Sequence, residues 1–117
     1  VFMMSIQPDE AGFNARRDAL AAKFDLLEQT IAGTPWFAGP VFRMVDALYA
    51  PVFRYFDAWD RYVEHGLFEA RPKLLGWRRA LATRASVQAS VPTDYIERYV
   101  ETQRARTSYL AALMRRA

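Results

Sequence analysis

Few side chains in this sequence are equipped for bond-making chemistry, and their spacing narrows the choice further. The 117 residues include one histidine, His65, and no cysteine. A disulfide framework, a thiolate metal site and a cysteine nucleophile are therefore excluded, and so is an all-histidine or histidine–cysteine metal site within one chain. His65 precedes Gly66, and a cation-capable ring beside a glycine predicts a helix end rather than a general base. Asp57 and Asp60 could act as an acid–base pair, but acids three residues apart on a long helix usually form a wetted strip. Arg54 is a lone charge between Phe53 and Tyr55. It would either meet an anionic ligand or pair with an acid such as Asp57, or reach the surface along its own stem. There is no Gly-rich phosphate loop, no HExxH, no GxSxG and no calcium loop.

The charge is uneven. Residues 1–70 hold 6 basic and 10 acidic side chains, and residues 71–117 hold 10 and 3, for a formal total of +3. Arg78-Arg79, Arg104 with Arg106, and Arg115-Arg116 could touch phosphate. No stacking aromatics are interleaved with them, so a solvated helical face is expected and nucleic acid is not the expected partner. No apolar run is long enough to cross a bilayer. At 52% hydrophobic and 15% aromatic residues, the chain can bury one core.

The elements that would position these residues follow from periodicity. The most apolar stretch runs from Trp36 to Trp59. From Met44 its spacing predicts a central helix over about residues 44–64. Val45, Leu48, Tyr49, Val52, Phe53, Phe56, Trp59 and Val63 form its stripe, and Pro51 would kink it. A helix this apolar belongs inside a bundle. Before it, residues 8–32 read as an amphipathic helix with Phe13, Leu20, Phe24, Leu27 and Ile31 inward, stopped by Gly33 and Pro35. Trp36 and Phe37 would plug the gap between the two. After it, a helix is expected over 71–83, carrying Leu74, Leu75, Trp77 and Leu81. A short turn capped by Ser86 would follow. A last helix would run from about Asp94, through a capping box with Glu97, to Arg115. Its inward residues would be Ile96, Tyr99, Val100, Gln103, Thr107, Leu110 and Leu113 or Met114. No segment alternates with period two, so the fold class is all-α.

The lead-in to the central helix carries a resemblance. Gly39-Pro-Val-Phe-Arg-Met-Val-Asp46, after Pro35-Trp36-Phe37-Ala38, is similar to the turn that opens the central helix in the helical domain of glutathione transferases. That pattern has a glycine turn, an apolar residue, a Ser or Thr N-cap and an Asp three residues later, which together make a capping box with a hydrophobic staple. Here Phe42 would be N′, Arg43 the N-cap, Asp46 N3 and Ala47 N4. Arg43 departs from the pattern, because its side chain has no oxygen to accept an amide proton. Asp46 can still reach back to the Arg43 amide, where its charge suits the helix dipole.

The resemblance covers nearly the whole chain. It implies one glutathione transferase C-terminal-like helical domain over residues 1–117, of the bacterial-type cytosolic class, truncated at its N-terminus. The missing part would hold a thioredoxin-like glutathione-binding domain and most of the first helix. No catalytic residue and no metal ligand is expected in this chain. It would supply one apolar wall of the pocket for a small-molecule electrophile, with glutathione as co-substrate. Ala47, Arg54 and Met3 are the candidate pocket residues, while Gly39, Phe42 and Asp46 are the structural turn and cap. The resemblance also implies a homodimer, a cytoplasmic setting and a detoxification role. Two other functions fit the residues: a non-catalytic assembly module of the same fold, and a basic helical nucleic-acid-binding domain.

Overall fold

A computed structural model describes residues 1–116. Among them the chain forms α1 (Phe2–Ser5), α2 (Glu10–Thr30), α3 (Met44–Trp59), α4 (Pro72–Thr83), α5 (Ala85–Gln88), α6 (Tyr95–Arg104) and α7 (Tyr109–Arg116). The fold is all-α; the described residues contain one isolated bridge, Trp36 with Gly39, and no strand.

The central helix is the hub. Its buried face carries Ala50, Phe53, Phe56, Ala58 and Trp59, and it packs on both α4 and α6. Phe56 and Trp59 are wholly inaccessible. Phe24 of α2 meets Phe53 and Phe56, with ring centroids 6.3 and 5.9 Å away. Trp77 of α4 stands edge-on to Phe53 at 5.1 Å. On the α6 side, Trp59 donates its indole N–H to the Tyr99 hydroxyl at 2.8 Å. Three neighbouring helices thus converge on one rod, as its apolar circumference requires.

Several expectations need correction. The central helix ends at Trp59, not near residue 64. Residues 60–63 wind on through short turns onto the carbonyls of Phe56, Ala58 and Trp59. The chain then swings through Gly66 at φ 68°, because His65 and Leu67 are buried and cannot stay on the helix axis. Leu48 is 65% exposed rather than inward, and Val45 and Val52 are half-buried. The N-terminal half of α3 is therefore only partly covered: Leu48 faces out, while Val45 and Tyr49 are half-buried against the core. Pro51 is tolerated on the exposed side, within an unbroken helix.

The single last helix is in fact two. Residues 105–108 break it between α6 and α7. Ser108 is buried, and its Oγ accepts from Ala111 N at 3.1 Å, the bond by which a serine opens a helix. Thr107, expected inward, is exposed in that break. Arginines fasten the two pieces side by side: Arg104 Nε donates to Met114 O, and Arg115 Nη1 to the carbonyls of Arg104 and Arg106. Neither expected cap near the α5–α6 region forms. Ser86 accepts from Arg84 Nε instead, and Asp94 pairs with Arg98.

The long second helix came out as expected. Asp9 is its N-cap, accepting from Gly12 N at 2.8 Å, and Phe13, Phe24 and Ile31 are buried. No helix among the described residues is long and apolar enough to cross a membrane.

Candidate functional site

The loop before the central helix is built around Asp46. Gly39 takes φ 131°, a conformation open to glycine. Gly33 lies so close to it that a Cβ there would stand 2.7 Å from Gly39 Cα. This crossing folds residues 32–39 back on themselves, with Ala32 N bonding Phe37 O at 2.9 Å. It also aims the Phe37 amide at the start of α3. Asp46, fully buried, collects the result. Its Oδ1 accepts from Phe37 N at 2.9 Å and from Trp77 Nε1 at 2.7 Å, while Oδ2 accepts from Arg43 N at 2.8 Å. One carboxylate therefore joins the loop, its own helix and α4.

Arg43 supplies no cap bond from its side chain, so the reciprocal box is half-made, and the second acceptor role of Asp46 has gone to other partners. Nor does Phe42 staple onto Ala47, which is exposed. It stands edge-on to Trp36 at 5.1 Å, with the Arg84 guanidinium 3.7 Å above its ring.

The other end of α3 carries the only histidine. His65 is buried rather than superficial, lying between Phe56 and Phe68. Its Nδ1 accepts from Leu67 N at 3.1 Å, and the Nε2 edge meets Asp60 Oδ1 at 2.6 Å. The first bond fixes the proton on Nε2, and both ring nitrogens are then engaged in holding the turn. No lone pair remains for a general base. Asp60 also accepts from Arg78, which reaches Asp57 as well and lies over Phe68. Burial works to raise the Asp60 pKa, but the hydrogen bonds from His65 and Arg78 and the Arg78 charge outweigh it and hold it below its usual value. Asp57 and Asp60 thus share one arginine as a structural cluster.

The cleft with the chemistry of a ligand site lies between α3, the end of α4 and the segment leading into α6. Its volume is about 320 Å³, and its lining includes Arg54, Val87, Gln88, Thr93, Tyr95 and Ile96. Arg54 is not paired with an acid. Its Nη2 donates to Val87 O at 3.1 Å and Ser90 Oγ at 2.8 Å, and its guanidinium stands 5.6 Å from the Tyr95 ring centre. These contacts fix the head group and leave Nε and Nη1 without an acceptor among the described residues. The walls beside it mix apolar Val87, Val91 and Ile96 with polar Gln88 and Thr93, and the Asp57 carboxylate in the lining is taken up by Arg78. Such a cleft suits a small molecule with an apolar body and one anionic end.

Of the three expected pocket residues, Arg54 lines this cleft, while Ala47 and Met3 do not. Ala47 is exposed near the start of α3, and Met3 is 44% exposed on α1, beside Phe2 at 65%. Sequence reasoning missed two groups. Glu28 accepts from Lys73 N at 3.0 Å and Leu74 N at 2.7 Å, capping α4 from a different helix. Its clue was that Arg71, the residue before Pro72, cannot cap anything. Tyr99 was placed inward, but its bond from Trp59 was not foreseen. Burial pushes its hydroxyl up to about 12.

The sequence model of the glutathione S-transferase C-terminal domain matches residues 10–80. That span contains α2, α3 and most of α4, with the Asp46 junction at its centre. No curated protein and no solved structure matches the chain.

Proposed function

The chain belongs to the glutathione S-transferase C-terminal domain family, and from that premise we propose that it is the co-substrate-binding half of a glutathione transferase. In this reading glutathione is held, and its thiol activated, by a thioredoxin-like domain outside residues 1–117. The helical half presents the electrophile. The glutathione sulfur attacks an electrophilic carbon and displaces the leaving group, and the thiol proton passes to solvent. Nothing in the helical half needs to exchange a proton for that step, in keeping with a His65 whose nitrogens are both occupied. A dry apolar wall keeps the thiolate weakly solvated and reactive.

The observation that carries the reading is the Asp46 junction, which lies inside the matched span and ties the glycine turn to two helices. Arg54 gives the reading its specificity. A guanidinium held by Val87 O and Ser90 Oγ, with two N–H donors to spare and the neighbouring Asp57 engaged by Arg78, favours electrophiles that bear a carboxylate or similar anion. A homodimer and a cytoplasmic setting follow the family resemblance.

The test is retention of the complete protein on immobilised glutathione, followed by conjugation of glutathione to paired aryl halides with and without a carboxylate. Arg54→Met should lower kcat/KM for the carboxylate about tenfold, the order of one charge-assisted hydrogen bond, and leave the neutral halide unchanged. A complete protein that neither binds glutathione nor conjugates either halide would leave the fold as a non-catalytic assembly module.

A further inference from the structure

The outer wall of the Arg54 cleft is a stretch of chain with no core residue of its own. From residue 82 to residue 99, between the buried Leu81 and Val100, every side chain is exposed or half-buried. Within it α5 is a single turn, too short to be stable alone, and residues 89–94 form no helix. Of the side chains in residues 85–94, Val87 packs against the core. Among the described residues, one group supplies the hydrogen bonds that tie this segment to a distant element. Arg54 Nη2 donates to Val87 O at 3.1 Å and to Ser90 Oγ at 2.8 Å. A stretch with few buried contacts opens locally at low cost, and here one guanidinium holds it shut.

The same guanidinium faces the cleft. A guanidinium has two forks with which to grip a carboxylate, Nε with Nη2 and Nη1 with Nη2, because Nη1 lies beside Cδ and away from the Nε hydrogen. Both forks need a hydrogen of Nη2. That nitrogen carries two, and one goes to Val87 O and the other to Ser90 Oγ. While the wall is held, Nε and Nη1 each offer an anion only a single bond. A bidentate grip, which is stronger and more directional, requires Nη2 to let go of Val87 or Ser90.

We propose that residues 85–94 are a lid over the co-substrate cleft, latched by Arg54, and that a ligand carboxylate opens it by taking Nη2; the proposal rests on the reading of this cleft as the anion-binding part of the pocket. Arg54 thereby closes the cleft when no anion is present. A carboxylate enters by exchanging partners on one guanidinium, and it loosens the wall through which it leaves.

Amide hydrogen exchange of the protein, followed by NMR at Val87, Gln88, Ala89 and Ser90, reads the latch, because these amides bond only within residues 84–90. Hexanoate is the probe and hexanamide its neutral control. Saturating hexanoate should speed exchange at these amides about fivefold, the order of one charge-assisted hydrogen bond lost from an exposed site, and hexanamide should leave it unchanged. A ligand that merely bound the latched state would slow exchange there, so the sign is diagnostic. Ser90→Ala, a change at an exposed residue, frees one Nη2 hydrogen. It should speed exchange about threefold without ligand and tighten hexanoate binding about threefold; a hydroxyl that served only as wall would leave the affinity unchanged or weaker. Arg54→Met should speed exchange without ligand and abolish the response to hexanoate. Slower exchange with hexanoate, an equal response to hexanamide, unchanged exchange in the Ser90→Ala protein, or hexanoate affinity not raised by Ser90→Ala would each overturn the latch while leaving the anion reading in place. No saturable binding of hexanoate at tens of millimolar would overturn both. Conjugation of the neutral halide depends on neither and tests the transferase reading separately.

Discussion

Asp46 and Asp60 stand at opposite ends of the same helix and are held in place by opposite means. Asp46 is fully buried at the N-terminus and is served by uncharged donors: two backbone amides and one indole. The helix dipole favours a carboxylate there. Asp60 is the C-cap, where the dipole opposes it, and its side chain is 45% exposed. It is held by the Arg78 cation and by His65. The first arrangement depends on geometry and exclusion of water, the second on charge and a partner that salt can screen. A buried carboxylate with only neutral partners is tolerable when every donor is aimed at it and the local dipole agrees.

The sharpest way to break that comparison is Asp46→Ala. Three buried or half-buried donors lose their acceptor together, and we expect a loss of about 4 kcal/mol, read from urea unfolding. The loss should be nearly independent of salt. Arg78→Met should cost less, about 1.5 kcal/mol at low ionic strength, through the two lost ion pairs and the contact over Phe68. Unlike the first, its effect should shrink in molar salt. Equal salt sensitivity at the two ends would erase the distinction. Arg43→Ser would sharpen it, restoring the missing acceptor at the N-cap, and should gain about 1 kcal/mol. The smallest effect is on pH. The Asp60 pKa is lowered in the folded protein, so its contribution is present above the ordinary aspartate value and is lost as pH falls through the folded one. Asp60→Asn should remove that acid-side slope from the pH profile of the unfolding midpoint.

The contrast also explains what was legible in the sequence. Asp46 could be read because its role is local: a glycine turn, an apolar residue and an acid three places into a helix have one physical reading. That it would also bind Trp77, 31 residues away, could not be read, since nothing in local spacing reports a cross-helix bond. His65 was misread for the same reason. The helix stops at Trp59, six residues before the ring, and burial of the ring depends on Phe56 and Phe68 closing over it. The long helices followed from periodicity. The break at residues 105–108 did not, because Ile96, Val100, Gln103, Leu110 and Met114 keep near-helical spacing across it, and only Ser108 signalled a new start. Arg54 stood out as a lone charge. Its carbonyl and hydroxyl partners come from the α5 region, too far along the chain for spacing to reveal.

The account turns on the bond between Asp46 and Trp77, and a double-mutant cycle measures it. Trp77→Phe deletes the indole donor, and Asp46→Ala deletes the acceptor. Urea unfolding of the two single variants and the double variant should give a coupling energy of about 2 kcal/mol. Additivity within about 0.3 kcal/mol would mean that the carboxylate does not tie α4 to the start of the central helix, contradicting the junction on which the fold and its proposed function both rest.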